Sequence, residues 1–251
     1  MNCRLLLWQL GHAFKRTSLV RIIRGLFFDG SSVRKAEPKV WQFISDNVVS
    51  GGTCVDVGAN RGEFSFLMAR KAGALGFVYA FELHPENTRH LQSNIWRYRH
   101  RVKVQNLAVT DGKTELVEVF PGRNRSGAEW NIVGHDITGQ NKQPEFCVKA
   151  TSLDDYFPPG KKIDLVKIDV EGAAQVVLAG MRRILHQSRP LLVIEVHNIS
   201  EWEGRKHLED AEYTLFDLEG KMLADTWNFV FHCAAVPKER RVESVFPCKR
   251  A

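Results

Sequence analysis

The chain has 251 residues, 44% of them apolar, with a formal charge of +6 and an isoelectric point near 9.1. That length and balance suit one large α/β domain with a sizeable core, and no long biased tract interrupts it. The basic excess is spread over Arg97, Arg99, Arg101 and Lys103, the N-terminal segment and the C-terminal end, with no aromatic-rich RNA-binding pattern, so nucleic acid is disfavoured as a partner. A peripheral contact with an anionic surface stays open.

The start of the chain carries a short apolar run, broken by Gln9 and His12 and followed by no small-residue cleavage site; neither a signal peptide nor a membrane span is expected. The five cysteines show no CxxC spacing and read as reduced thiols of a cytoplasmic protein. Residues 1–50 are expected to form a helical extension. Leu6, Leu7, Leu10, Phe14, Val20, Ile23 and Phe27 recur at helical spacing within residues 4–28, and a further helix is expected over 39–48. The first stretch suits a helix on the domain edge or a lid over the substrate better than a membrane-surface anchor.

From residue 51 onward, strand and helix alternate. The pattern predicts a strand at about 53–58, a helix at 62–72, a strand at 77–83, a helix from Pro85 to about 98 and a strand at 102–108. Such alternation makes a parallel sheet with helices on both faces. An insertion at about 112–151 then breaks the pattern. Two period-two runs, 114–120 and 145–150, read as an antiparallel pair carrying a polar loop over 121–144. Ser152 to Asp155 reads as a capping box whose acids are caps rather than catalysts. A strand at 163–169, a helix at 171–186, a strand at 191–197, a helix near 203–210 and strands around 213–218 and 228–233 complete the expected order.

The chemistry is concentrated where the first strands end. Asp56, Gly58, Asn60 and Gly62 follow the first strand, and Glu82 lies twenty positions after Gly62 at the end of the second. The glycines allow close backbone approach, and a strand-end acid accepts bonds from two ribose hydroxyls. The G-x-G-x-x-G spacing of a dinucleotide turn fails, and Asp56 would repel a pyrophosphate. A ligand with a positive end, such as the amino group and sulfonium of S-adenosylmethionine, suits the turn better. Asp169 and Glu171 close the fourth strand of the alternating series and His197 the fifth, where ligands of open parallel sheets bind. His197, with an unperturbed pKa near neutrality, is the expected base. Lys167 and Glu195, each two residues earlier, are expected to face each other as a buried pair. Asp169, Glu171 and His197 offer oxygen and imidazole donors, yet no HExxH or HxH cluster is present and no metal is expected.

With those residues in place, the chain resembles the FkbM family of S-adenosylmethionine-dependent methyltransferases over roughly residues 53–235. The matching segments are Val55 to Gly62, Ala80 to Glu86, Asn106 to Ala108, Ser152 to Asp155, Lys167 to Gly172 and Ile194 to His197. The resemblance implies a seven-stranded, doubly wound, Rossmann-like class I methyltransferase sheet and methyl transfer, usually to a hydroxyl of a small molecule, sugar or glycoconjugate. It also implies that Ala59, Leu83, Asn106 and Ala108 join Asp56, Gly58, Asn60, Gly62, Glu82 and Asp169 around the cofactor. Leu83 stands where many members have Pro. The rival readings are a nicotinamide- or nucleotide-sugar-binding enzyme and a cofactor-binding module without turnover. Acceptor recognition is expected to come from the N-terminal helices and the 121–144 loop.

Overall fold

The computed structural model describes residues 23, 25–120, 131–132, 144–223 and 231–246. Most of the expected N-terminal amphipathic stretch and of the 121–144 loop lies outside them. Among the described residues, helices α1 (Ser31–Ala36) and α2 (Pro38–Asn47) lie ahead of the sheet; α2 carries Pro at its first position, where the missing N–H has no intrahelical partner to lose.

The alternating segment then builds β1 (Thr53–Val57), α3 (Glu63–Ala72), β2 (Phe77–Phe81), α4 (Pro85–Asn94) and β3 (Val102–Gln105). The insertion supplies β4 (Ala108–Val109), β5 (Leu116–Phe120), β6 (Asn131–Ile132) and β7 (Phe146–Thr151), followed by α5 (Leu153–Tyr156). The remaining elements are β8 (Leu165–Ile168), α6 (Ala174–Ala179), α7 (Arg182–Gln187), β9 (Leu191–Val196), α8 (Ile199–Glu203), α9 (Arg205–Asp210), β10 (Tyr213–Asp217), β11 (Phe231–Pro237) and α10 (Val242–Val245).

Seven strands form one sheet in the order β10-β11-β9-β8-β1-β2-β3, with β11 antiparallel to both neighbours and the other pairs parallel. This is the doubly wound sheet the alternation predicts. A second sheet, β4-β7-β5-β6, holds the expected antiparallel pair as β5 and β7. The third alternating strand differs from expectation: it stops at Gln105, and Ala108–Val109 crosses to β7. At the break, Asn106 donates to the carbonyls of Glu82 and Leu83 at 2.9 and 2.8 Å.

The expected 171–186 helix is also two helices, joined through Gly180. A Cβ at Gly180 would overlap the Thr110 carbonyl oxygen, so the residue lets this segment press against the end of β4. The Asp154 carboxylate accepts from Arg183 N and Ile184 N at 2.7 and 3.0 Å, and Ser152 Oγ accepts from Asp155 N at 3.0 Å. These acids are caps, as the capping-box reading holds.

Apolar residues line both faces of the main sheet. Val55, Val57, Val166, Ile168, Ile194 and Val196 pack on one side, under α6 and α7. Cys54, Leu165, Leu191 and Val193 pack on the other with Val40, Phe43 and Phe64 of α2 and α3. The two-residue period of a strand then puts Asp56, Lys167, Asp169, Glu195 and His197 on this second face, near the carboxyl ends. No helix among the described residues is long and apolar enough to cross a membrane.

Gly58 sits at φ 76°, and a Cβ there would run into the carbonyl of Asp169 on β8's continuation. Gly58→Ala is therefore expected to cost more than the roughly 1–3 kcal/mol of a left-handed non-glycine residue alone. A urea midpoint matching that of the parent chain would show that the turn can yield.

Candidate active site

A cavity of about 610 Å³ opens at the carboxyl ends of β1, β2 and β8. Of the sequence-derived cofactor residues, Gly58, Asn60, Glu82, Leu83, Ala108 and Asp169 line it, and Glu171 does too. Ala59, Gly62, Asn106 and Asp56 support it without lining it. Ala59 N and Gly58 N both donate to Phe81 O, tying the turn to β2. Gly62 precedes α3 in a left-handed conformation, against Leu91.

Glu82 organises the turn. It is 6% exposed; Oε2 accepts from Asn60 N at 2.7 Å and Oε1 from His84 N at 2.8 Å. Burial raises its pKa, and the two backbone donors pull the other way. Asp56 does not reach the cavity. It is fully buried, Oδ2 accepts from Ser65 Oγ at 2.6 Å, and Oδ1 lies 3.8 Å from Lys167 Nζ. The reading of Asp56 as a partner for the positive end of the ligand is thus corrected: strand alternation turns it beneath α3, into the fold's interior.

Sequence reasoning did not find the far wall. Val109, Leu116, Val117, Glu118 and Cys147 of the second sheet, and Thr110 and Asp111 beside it, complete the cavity. Their separation from the glycine turn left no signal in local spacing.

Beside this cavity lies a cluster of charged and polar side chains. Lys167, 2% exposed, donates to Asp169 Oδ2 at 2.9 Å and lies 4.9 Å from the Phe64 ring centroid. The expected Lys167–Glu195 pair does not form. β8 and β9 are offset by two residues, so Lys167 aligns with Val193 and Ile168 with Ile194. Continuing that register puts Asp169 beside Glu195, and their carboxyl groups are hydrogen-bonded. Burial raises Glu195 to about 8, helped by its bond to Asp169 and that group's charge. Burial also pushes Asp169 up, but Lys167 and Glu195 outweigh it and bring Asp169 to about 2.

His197 Nε2 lies 3.4 Å from Glu171 Oε2 and 3.6 Å from Glu195 Oε2. Glu171 reaches this position from a left-handed residue, φ 48°, an uncommon conformation for a non-glycine side chain and one that clusters at functional sites. The other imidazole nitrogen, Nδ1, lies 3.2 Å from Glu201 Oε2. This hydrogen bond is the main cause of a His197 pKa raised to about 9; burial opposes it and Glu195 and Glu171 add to it. Both ring nitrogens therefore face carboxylates, Nε2 toward Glu171 and Glu195 and Nδ1 toward Glu201.

Glu201 is a further residue that the sequence did not single out. It is 2% exposed, and its carboxylate accepts from Ala174 N at 2.9 Å and His197 N at 2.6 Å. It joins the end of β9 to the start of α6. Glu201→Ala is expected to lower stability by roughly 1.5–3 kcal/mol, the range for a hydrogen bond to a charged group. An unchanged urea midpoint would contradict this bracing role. His232 and Glu37, 3.4 Å apart, extend the cluster, with His232 Nε2 3.7 Å from Glu195 Oε1.

A seven-stranded sheet with one reversed strand, a glycine turn and a strand-end acid facing a cavity define a class I methyltransferase. The residues present fit S-adenosylmethionine: Gly58 and Asn60 bring the turn's backbone to the cavity wall, and beside them the Glu82 carboxylate at a strand end is an acceptor of the kind that suits ribose hydroxyls. Residues 56–230 match the model of the methyltransferase FkbM domain. The chain belongs to this family of S-adenosylmethionine-dependent methyltransferases, which sets aside the nicotinamide and nucleotide-sugar readings.

A solved methyltransferase FkbM from Methylobacillus flagellatus shares the fold at a TM-score of 0.51 and 14% identity, over 82% of this chain and 60% of that one. An O-methyltransferase from Thermotoga maritima aligns at a TM-score of 0.46 and 15% identity, over 81% and 67%. Among curated proteins, AMB antimetabolite synthetase AmbE of Pseudomonas aeruginosa is 24% identical over 176 residues. That match takes in 57% of this chain but spans only 8% of the synthetase.

Proposed function

We propose that this methyltransferase methylates a hydroxyl oxygen of a small molecule, sugar or glycoconjugate. The observation that carries the reading is that the cavity and the polar cluster share two residues. Asp169 and Glu171 line the cavity, and the same two residues interact with Glu195 and His197 of the cluster. An acceptor reaching the cavity at this point would meet these two carboxylates. The cluster's several acids favour a neutral acceptor over a phosphate or carboxylate. The free thiols of Cys54, Cys147 and Cys233 support a cytoplasmic setting.

S-adenosylmethionine supplies a methyl group already activated on a sulfonium, so much of the protein's contribution is alignment of the acceptor. Asp169, held by Lys167, orients the hydroxyl. Glu171, 37% exposed, receives the proton that the hydroxyl loses and returns it to water. Glu171→Gln is expected to slow transfer by about 10²–10⁴, the usual contribution of a positioned acid or base, with affinity for S-adenosylhomocysteine retained. Radiolabelled methyl transfer to panels of polyols, glycosides and matched amines tests the acceptor class. Turnover of amines with none of hydroxyl acceptors would reject the O-methyl reading.

A further inference from the structure

The polar cluster contains an arrangement that orienting a hydroxyl does not require. Asp169, Glu195 and His197 come from the ends of two adjacent strands, and each offers a ligand atom within 4.8 Å of the other two. All three are partly open to solvent, so a small ion has a path to them. The set is two carboxylates and one imidazole, a mixture of oxygen and nitrogen donors that suits Mn²⁺, Mg²⁺ and neighbouring divalent ions.

A second observation, outside these three residues, points the same way. Glu201 is buried, and it takes the Nδ1 side of the His197 ring at 3.2 Å while also fixing the His197 backbone N at 2.6 Å. The ring is thereby set with Nε2 toward Glu195 and Glu171. A carboxylate on the far nitrogen is what orients the imidazole of metal-ligating histidines. Lys167 engages Oδ2 of Asp169, and a carboxylate has lone pairs on two oxygens for further partners.

We propose that Asp169, Glu195 and His197 form a divalent-cation site beside the cofactor cavity, with Glu201 as the positioning residue behind His197. Resting on the O-methyl reading, the cation's role in the cluster is to hold the acceptor's hydroxyl oxygen. Asp169, the ligand shared with the cofactor cavity, keeps that oxygen close to the methyl donor's compartment. A His197 whose Nε2 is engaged in this way takes no proton from the acceptor.

The test uses the full chain and Mn²⁺ alone, followed by electron paramagnetic resonance and calorimetry. One Mn²⁺ per chain is expected, at sub-millimolar affinity. Glu195→Gln and His197→Ala should each weaken it by at least tenfold, and Glu201→Gln by about 10–100-fold, as for loss of an outer-shell partner. In each variant, unchanged affinity for S-adenosylhomocysteine shows that the fold is intact. Absence of stoichiometric binding up to millimolar Mn²⁺, or equal binding in the parent chain, Glu195→Gln and His197→Ala, overturns the site. Failure of every hydroxyl acceptor while Mn²⁺ binds as described would instead count against the O-methyl reading and leave the cation site standing.

Discussion

Lys167→Met is expected to lower the free energy of unfolding by about 3–5 kcal/mol, the cost of removing one partner from a buried ion pair. The ammonium lies between Asp56 and Asp169, at 3.8 and 2.9 Å, with Asp56 wholly buried and Lys167 itself 2% exposed. Burial alone would lower the lysine's pKa. The charges of Asp169 and Asp56 outweigh it and raise the pKa, so the group stays ionised throughout the ordinary pH range. Methionine keeps an unbranched apolar stem but leaves Asp56 and Asp169 without their shared cation. Adding Asp56→Asn to Lys167→Met should recover part of the loss, because one of the stranded charges is then gone. Urea titration of the single and double variants measures both effects. A single-variant loss below about 1 kcal/mol, the worth of an exposed pair, would mean that water reaches the lysine after all.

Glu82→Ala is expected to weaken S-adenosylhomocysteine binding by roughly 1.5–3 kcal/mol, or about ten- to more than a hundredfold. The carboxylate stands at the wall of the cavity, and the backbone amides of Asn60 and His84 already fix its orientation. Alanine removes the acceptor and also releases the two amides, so part of the loss comes through the turn. Glu82→Gln separates the two parts. It keeps one acceptor oxygen for the turn but presents an amide donor where an acceptor is wanted. Calorimetry should find Glu82→Gln weakened as well, with a smaller drop in melting temperature than Glu82→Ala shows. Parent-like affinity in both variants would remove Glu82 from cofactor recognition.

Much of the architecture was legible because its causes are local. Alternating apolar positions, Pro85 at a helix start and the Gly58–Gly62 turn each report a preference that operates over a few residues. The capping reading of Ser152 to Asp155 held for the same reason. Where an expectation failed locally, a long-range contact was responsible. The third alternating strand ends early because Asn106 bonds to the carbonyls after β2, and the 171–186 helix divides where Gly180 meets Thr110.

The site divides along the same line. By itself the sequence determined which residues stand at the strand ends: Gly58, Asn60, Glu82, Asp169 and Glu171, all of which line one cavity. It also determined the family, since the motifs occur in order along one chain. Only the tertiary structure decided who meets whom. A two-residue offset between β8 and β9 gives Lys167 to Asp56 and Asp169, sets Asp169 beside Glu195 and brings Glu171 to His197. Glu201, Glu37 and His232 join from other parts of the chain. The period of a strand tells which face a side chain takes. The register between two strands joined by a long crossover is set by how the intervening helices pack, and that is a property of the whole fold rather than of either strand.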